Sequence, residues 1–263
     1  MAAEGKKYMF VKWGVESRRE PLEAHFKTRG IYDFFDEVTW IDAYPATHPF
    51  VIWTHKKFLR NLTRGQVSNF LKNYHIVHEI ATSPKYTDRD IFMHVDDDVV
   101  FIEDWVKCMD KLPSDFLNVT SLGVNFHLKP GVSYHLTGNI GGAESITYTK
   151  KFAEFFVNNV EFGQAQDIVM GAMMLHHRIP LGVIPVCQQT SILGDTAGEN
   201  PKYEKDWISY TKSYVPSCMK YTDLVKEYEW FMQKKKRAED DFEKLYGFRI
   251  DIWNEEYIKE RQI

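Results

Sequence analysis

Three adjacent aspartates, Asp96, Asp97 and Asp98, lie in the middle of an otherwise apolar stretch of the chain, DIFMHVDDDVVF. Neighbouring carboxylates repel one another, and burying even one of them without a partner costs several kcal/mol. Something cationic therefore has to compensate for them. Carboxylate oxygens are ligands that Mg²⁺ and Mn²⁺ prefer, and these ions normally take phosphate oxygens and water as well. The stretch is a candidate site for a divalent cation and an anionic ligand.

The apolar residues before the aspartates are typical of a buried strand, and ligands of parallel α/β sheets bind beyond the carboxyl ends of the strands. Side chains alternate along an extended segment, so we expect Asp96 and Asp98 on one side and Asp97 on the other. The first and third can then approach one ion. In the alternative interpretation, the cluster caps the segment EDWVKCMDKL, with water and the helix dipole satisfying its charges. The glycine and glutamate spacing of an EF-hand is missing.

The segments around the aspartates predict an α/β sheet. KYMFVKWG, residues 7–14, predicts a first strand, and EVTWIDAY predicts a second. Residues 63–81 have apolar side chains at helical spacing, with Thr63 and Gln66 placed as a capping box. This strand, helix, strand order implies parallel pairing. Later helices are predicted in EDWVKCMDKLP, KKFAEFFVNNV and QAQDIVMGAMMLHHR, and later strands in NVTSLGVNFHL, GNIGGAESITYT and LGVIPVCQQTSI.

The composition is that of an ordinary globular protein, with 263 residues, 44% of them hydrophobic and 27% charged. A formal net charge of -4 argues against nucleic acid as a partner. No stretch is apolar enough to span a bilayer, and the first apolar run is too short for a secretory signal. Three widely spaced cysteines argue against a disulfide framework. We expect a cytoplasmic protein with a main domain in residues 1–220 and a C-terminal helical extension, residues 221–263, packed on it.

The apolar strand followed by Asp-x-Asp resembles the metal and nucleotide-sugar motif of glycosyltransferases with the GT-A fold. Further blocks follow in the order found in the lipopolysaccharide-type family 25 of these enzymes, and the chain is also similar to glycosyltransferases encoded by large DNA viruses of algae. The blocks are LTRGQVSNFLKNYHIVHEI, GNIGGAESITYTKKFAEFF, the aspartate of QAQDIVMG and PVCQQTSI, within residues 7–195. Family 25 usually has Glu-Asp-Asp where this chain has three aspartates, so the division of metal ligand and sugar contact among them stays open.

The resemblance implies a GT-A-like, Rossmann-related fold with a mixed, mainly parallel sheet flanked by helices. It also implies transfer of a sugar from a UDP-sugar to a hydroxyl group of a glycan acceptor, with inversion and with Mn²⁺ or Mg²⁺ as cofactor. Asp98 and Asp96 would hold the cation, which stabilises charge on the leaving diphosphate, and Asp97 would contact the ribose or the donor sugar. For an enzyme of viral origin, the expected location is the host cytoplasm.

Further donor-binding candidates follow the first strand, begin the next helix, or lie in the glycine-containing strand. They are Lys12, Trp13 and Gly14, by resemblance; Arg64, Gln66 and Ser68, because helix N-termini favour anions; and Asn139, Gly141 and Gly142, where the backbone can approach the sugar closely. Asp167 in GQAQDIVMG matches the position of an acidic residue in such families and would accept the proton of the acceptor hydroxyl. An ordinary first-turn helix carboxylate explains Asp167 equally well, and a strand bulge explains the glycines.

Two other functions use the same features. A sugar nucleotidyltransferase would employ the same carboxylates and cation, but it normally has a glycine-rich, basic loop after the first strand, which KWGVESRRE matches only faintly. A carbohydrate-binding protein would use a structural cation and would stack sugars on its aromatic side chains, which make up 15% of the chain.

Overall fold

The structure is a computed structural model that describes most of the first 109 residues and separate segments beyond them. The described residues are 5–60, 62–101, 105–109, 119–121, 133–135, 145–160, 166–177, 179, 181–183, 187–189 and scattered positions between 225 and 243.

The strands of the described residues form two sheets. They are β1 Lys7–Lys12, β2 Glu37–Ile41, β3 Ile91–Asp96, β4 Val99–Phe101, β5 Val119–Ser121, β6 Ser133–His135, β7 Ser145–Thr149, β8 Leu181–Val183 and β9 Cys187–Gln189. The larger sheet has the order β2-β1-β3-β7-β5-β8-β6, and β4 pairs with β9 in a separate small sheet.

The helices lie between these strands in the chain. They are α1 Arg19–Thr28, α2 Ile31–Phe34, α3 Pro49–Lys57, α4 Arg64–Thr82, α5 Trp105–Met109, α6 Lys150–Asn159 and α7 Gln166–His176. A short 3-10 turn, Glu16–Arg18, joins β1 to α1. No helix in the described part of the chain is both long and apolar enough to cross a membrane.

The first strand occupies the centre of the parallel part of the larger sheet. β1 pairs in parallel with β2 on one side and with β3 on the other, and Lys12 lies opposite both Ile41 and Asp96. β7 then pairs antiparallel with β3 and with β5, while β5 and β8 are parallel. The prediction of a mixed α/β sheet flanked by helices is confirmed. The parallel register also places the end of β1 beside the end of β3, where the three aspartates begin.

Both faces of this sheet are covered. Tyr8 and Phe10 point into a core shared with α3, α4 and α6, whereas Met9 and Val11 point into a second core shared with α1, α2 and α5. A strand that is buried on both faces has apolar side chains in both directions. The charged residues of β1 and β3 therefore concentrate near the ends of the strands.

Three features differ from or extend the sequence predictions. The segment LGVIPVCQQTSI contains two strands in different sheets, β8 and β9, rather than one. The helices α1, α2 and α3 were not predicted. α1 buries only Leu22 and Phe26, so few apolar residues mark it in the sequence. Within the C-terminal segment, the ring of Tyr228 lies 4.4 Å from that of Phe50. The division into residues 1–220 and 221–263 stays a prediction.

The predicted capping box of α4 is confirmed. Thr63 Oγ1 accepts a hydrogen bond from the Gln66 N–H at 3.2 Å, and Gln66 Oε1 accepts one from the Thr63 N–H at 2.9 Å. Both bonds satisfy backbone donors that the first turn of a helix leaves without partners.

Replacing the cap should weaken the fold measurably. We expect Thr63→Ala to lower the free energy of unfolding by about 1 kcal/mol, because an N-terminal donor of α4 loses its acceptor. Chemical denaturation measures the change, and Thr63→Ser, which keeps the hydroxyl group, is the matched control. Equal losses in the two variants would contradict a capping function for this hydroxyl.

Candidate functional site

A cavity of about 250 Å³ lies where β1 and β3 end and α4 begins. Its lining comes from Asp96, Asp97 and Asp98 at the end of β3, which we call the acidic turn, and from the loop after β1, the first three turns of α4 and Ala46. The loop contributes because β1 and β3 are parallel and end at the same edge of the sheet. α4 contributes because its N-terminal half lies over that edge. The fold thus brings together three of the segments that the sequence singled out.

Asp96 is held between a lysine and an asparagine. Its Oδ1 atom lies 2.8 Å from Nζ of Lys12, and its Oδ2 atom accepts a hydrogen bond from Nδ2 of Asn69 at 3.3 Å. Burial raises the pKa of the Asp96 carboxyl, and the positive charge of Lys12 opposes that shift. Lys12, predicted as a donor-binding residue, is thus a partner of the predicted metal ligand.

Asp97 is the most heavily hydrogen-bonded member of the acidic turn. Its Oδ2 atom accepts the backbone N–H groups of Gly14 and Val15 at 2.7 and 2.9 Å, and its Oδ1 atom accepts from Arg18 at 2.7 Å. These three bonds fix the loop after β1 against the end of β3. The predicted contact of Asp97 with a ribose or sugar stays untested, but its carboxylate already has this structural function.

Asp98 shares a cation with Asp97. Its Oδ2 atom lies 3.4 Å from Nη1 of Arg18, the same nitrogen that bonds Asp97. The expectation that Asp97 would point away from Asp96 and Asp98 is therefore wrong. The extended backbone ends at Asp96, and the next two residues form a turn in which strand alternation no longer applies.

Arg18 and Lys72 are site residues that the sequence analysis missed. Arg18 is 3% exposed and belongs to the 3-10 turn, and only the basic pair in ESRRE gave any signal of it. Lys72 is 2% exposed in the middle of α4, and its amine donates to the backbone carbonyl oxygen of Trp13. Burial lowers the pKa of Lys72 to about 8, although the charges of Asp97 and Asp96 raise it. Nothing in the local sequence distinguishes this lysine from a solvated one.

Two predicted residues of the first loop have different positions. Gly14 lines the cavity, and a Cβ atom placed there would lie 3.6 Å from Nζ of Lys72, an ordinary van der Waals distance. Trp13 is outside the lining, and its indole N–H donates to the carbonyl oxygen of Val15 at 3.0 Å. The guanidinium of Arg19 lies 4.8 Å from the Trp13 ring centre. In this structure the ring of Trp13 therefore stacks on an arginine.

Two of the predicted residues of α4 already form hydrogen bonds within the protein. Gln66 and Ser68 line the cavity, whereas Arg64 does not belong to its described lining. The side chain of Gln66 takes part in the capping box, and Ser68 Oγ donates to the carbonyl oxygen of Tyr44 at 2.5 Å. A ligand contact by either side chain would compete with these bonds.

The remaining candidates lie at or beyond the limits of the described residues. Asp167 is in the first turn of α7, and its role as a base stays a prediction. The residue before it, Gln166, is buried, and its Nε2 atom lies 3.4 Å from Nε2 of His94 on β3. This contact ties the beginning of α7 to the acidic strand. Asn139, Gly141 and Gly142 lie outside the described residues.

The oxygen atoms around the cavity are of the kind that a hard divalent cation prefers. Asp96, Asp98 and Asn69 all line it, and the buried Oδ1 atom of Asn69 accepts no hydrogen bond from the described residues. The described residues contain no cluster of three or more His, Cys, Asp or Glu side chains that could hold a metal ion on its own. Mg²⁺ or Mn²⁺ fits this donor set if phosphate oxygens and water complete the coordination.

The formal charges around the cavity cancel. Three aspartates, Asp96 to Asp98, face three cationic side chains, those of Lys12, Arg18 and Lys72. Protein cations thus supply the compensation that the sequence analysis sought in a divalent cation or, alternatively, in water and the helix dipole.

Comparisons with known proteins identify no family. No protein-family model matches the chain, and no curated protein matches it. Among solved structures, the chain is similar to the inositol-1-phosphate CTP transferase from T. maritima, with 10% sequence identity and a TM-score of 0.32 over 82% of this chain and 100% of that chain. A likeness at this level does not assign a function.

The contacts of Asp97 predict a large effect on the ligand-free protein. Asp97→Ala should lower the free energy of unfolding by about 3 kcal/mol, because it leaves two loop N–H groups and part of the Arg18 charge without their acceptor. Urea denaturation without ligands measures this, and Asp88→Ala, at an exposed carboxylate, is the control. Unchanged stability of Asp97→Ala would mean that Asp97 serves ligands only.

Replacing Lys72 should raise the free energy of unfolding, whereas replacing Asp97 should lower it. Its pKa in the folded protein, about 8, is below its ordinary value of 10.5, so the unfolded chain binds more protons between these pH values. The wild type should therefore gain stability relative to Lys72→Met as the pH rises through this window. Near neutral pH we expect Lys72→Met to be the more stable protein, by about 1–2 kcal/mol.

Urea denaturation of both proteins near pH 7 and near pH 9.5 checks this. The advantage of the variant should be larger at the lower pH. A variant that is less stable than the wild type near pH 7 would show that the charged amine stabilises the ligand-free protein.

Proposed function

We propose that the protein is a metal-dependent glycosyltransferase that moves a sugar from a UDP-sugar to a hydroxyl group of a glycan acceptor, with inversion, in the cytoplasm. The observation that carries this proposal is the cavity at the carboxyl ends of β1 and β3, where the acidic turn faces the first turns of α4. Ligands of α/β sheets bind at this edge. The Asp-x-Asp motif and the order of sequence blocks support the same function.

The chemistry requires charge stabilisation on a leaving diphosphate. Asp96 and Asp98 would hold Mn²⁺ or Mg²⁺, which when bound supplies Lewis-acid stabilisation of that charge. Lys12 and Arg18 keep the two carboxylates in place before the donor binds. Asp97 holds the loop after β1 in the position from which it would contact the nucleotide. A site organised before binding loses little energy to rearrangement.

Transfer with inversion also needs a base on the acceptor side. We assign this role to Asp167, which follows Gln166 in the first turn of α7. The contact between Gln166 and His94 supports the assignment, because His94 is two residues before Asp96 on the same strand. The base would take the proton of the acceptor hydroxyl as that oxygen attacks the anomeric carbon. The donor sugar would lie between the cation at Asp96 and Asp98 and the base at Asp167.

The loop after β1 argues against the nucleotidyltransferase alternative. A sugar nucleotidyltransferase normally has a glycine-rich, basic loop after the first strand, whereas here the loop N–H groups of Gly14 and Val15 are bonded to Asp97. The carbohydrate-binding alternative needs aromatic side chains on which sugars stack, and none is among the described residues that line the cavity. A nucleoside diphosphate together with a cation is the better match.

Turnover of UDP-sugars tests the proposal. With Mn²⁺ present, the wild type should release UDP from at least one member of a UDP-sugar panel, and Asp98→Asn should reduce the rate about a hundredfold because a charge-stabilising ligand is weakened. Asp88→Asn, at an exposed carboxylate of the turn before β3, should leave the rate unchanged.

Thermal denaturation with ligands separates the alternatives. UDP with Mn²⁺ should stabilise the wild type more than either ligand alone. Stabilisation by free sugars without any effect of UDP would indicate a binding protein.

A separate product assay tests the nucleotidyltransferase alternative: release of pyrophosphate from a nucleoside triphosphate and a sugar phosphate would indicate that activity.

A further inference from the structure

Lys72 differs from the other two cations of the cavity in its contacts. Lys12 and Arg18 form ion pairs with the aspartates at 2.8 and 2.7 Å. Among the described residues, Lys72 forms no such pair, and its one hydrogen bond goes to the backbone carbonyl oxygen of Trp13. An ammonium group has three donors, so two of them are available to a ligand in the cavity.

The position of the amine is also specific. Nζ of Lys72 lies 3.6 Å from the point where a Cβ atom of Gly14 would be, and that point is 3.7 Å from Oδ2 of Asp97. The amine therefore lies at the loop after β1, beside the acidic turn and below the start of α4. A ligand that fills the cavity between these segments meets the amine directly.

The hydrogen bond to Trp13 does not by itself explain a charge at this place, although the neighbouring charges of Asp97 and Asp96 favour it. A hydrogen bond to one carbonyl oxygen needs only a neutral donor, whereas burial of the ammonium disfavours its charged form. A side chain that costs folding stability at a cavity wall is typical of a functional site. The charge is useful if an anion enters the cavity.

We propose that Lys72 recognises the diphosphate group of the donor by donating hydrogen bonds to its phosphate oxygens, a role that rests on the proposed function. The balance of charges supports this. A divalent cation and the diphosphate of a nucleotide sugar carry opposite charges of the same size, so together they leave the neutral cavity neutral. Either ligand alone places an uncompensated charge in a buried site, which is unfavourable.

This balance of charges predicts that replacing Lys72 changes the affinities for a cation and for an anion in opposite directions. Removing the charge of Lys72 leaves a net negative cavity, which should bind a cation more tightly and an anion more weakly. Isothermal titration calorimetry on the full chain measures both, with inorganic pyrophosphate, UDP, uridine and Mn²⁺ as separate probes. The variants are Lys72→Met, Lys72→Arg, which keeps the charge, and Lys27→Met as an exposed control on α1.

We expect Lys72→Met to weaken pyrophosphate and UDP binding about tenfold or more, the effect of losing a charge-assisted hydrogen bond. Uridine binding should stay within about twofold, and Mn²⁺ binding should become about twofold to tenfold tighter. Lys72→Arg should recover part of the pyrophosphate affinity, and Lys27→Met should resemble the wild type. A variant that had merely lost structure would not bind Mn²⁺ more tightly.

Other outcomes overturn this role or separate it from the proposed function. Equal losses of UDP and uridine affinity would show that Lys72 only holds the loop at Trp13. Undiminished UDP and pyrophosphate binding by Lys72→Met would exclude a phosphate contact and leave the glycosyltransferase proposal intact. Binding of pyrophosphate that depends on Lys72, without binding of UDP, would support the anion site and refute the nucleotide-sugar function. A wild type that binds neither would refute both.

Discussion

The site depends on the neutralisation of three adjacent carboxylates at the edge of a sheet. Buried charges are tolerated only when partners compensate for them. Here Lys12, at the end of the neighbouring strand, pairs with Asp96, and Arg18, in the turn that follows, pairs with Asp97 and Asp98. These contacts fix the loop after β1 against the end of β3 and leave a cavity below the start of α4.

The same compensation shapes what the cavity can bind. Because the protein supplies its own cations, a metal ion is not needed to keep the aspartates in the folded state. A divalent cation would instead add charge, and it needs an anion beside it. The proposed ligands, a nucleotide diphosphate and its metal ion, form such a pair, and in this proposal Lys72 binds the anion beside the acidic turn.

The elements that the sequence predicted well are those whose signal is local. The capping box of α4 was recognisable because Thr63 and Gln66 are three residues apart and bond each other. The strands β1 and β3 were recognisable as short apolar runs that are buried on both faces. The helix α1 was not, since only two of its side chains are buried. The separation of β8 from β9 was equally hidden, because β9 belongs to a small sheet whose other strand, β4, is far away in the chain.

The sequence by itself determined that three acidic side chains follow an apolar strand and that an N-terminal helix cap lies before that strand. It therefore located the edge of the sheet where a charged ligand could bind. Only the tertiary structure decided which cations face those acids, and that strand alternation ends at Asp96. Arg18 and Asp97 are 79 residues apart, and Lys72 meets the carbonyl of Trp13 across 59 residues. Ion pairs of this kind leave no periodicity in the chain, because they form between elements that only the fold brings together.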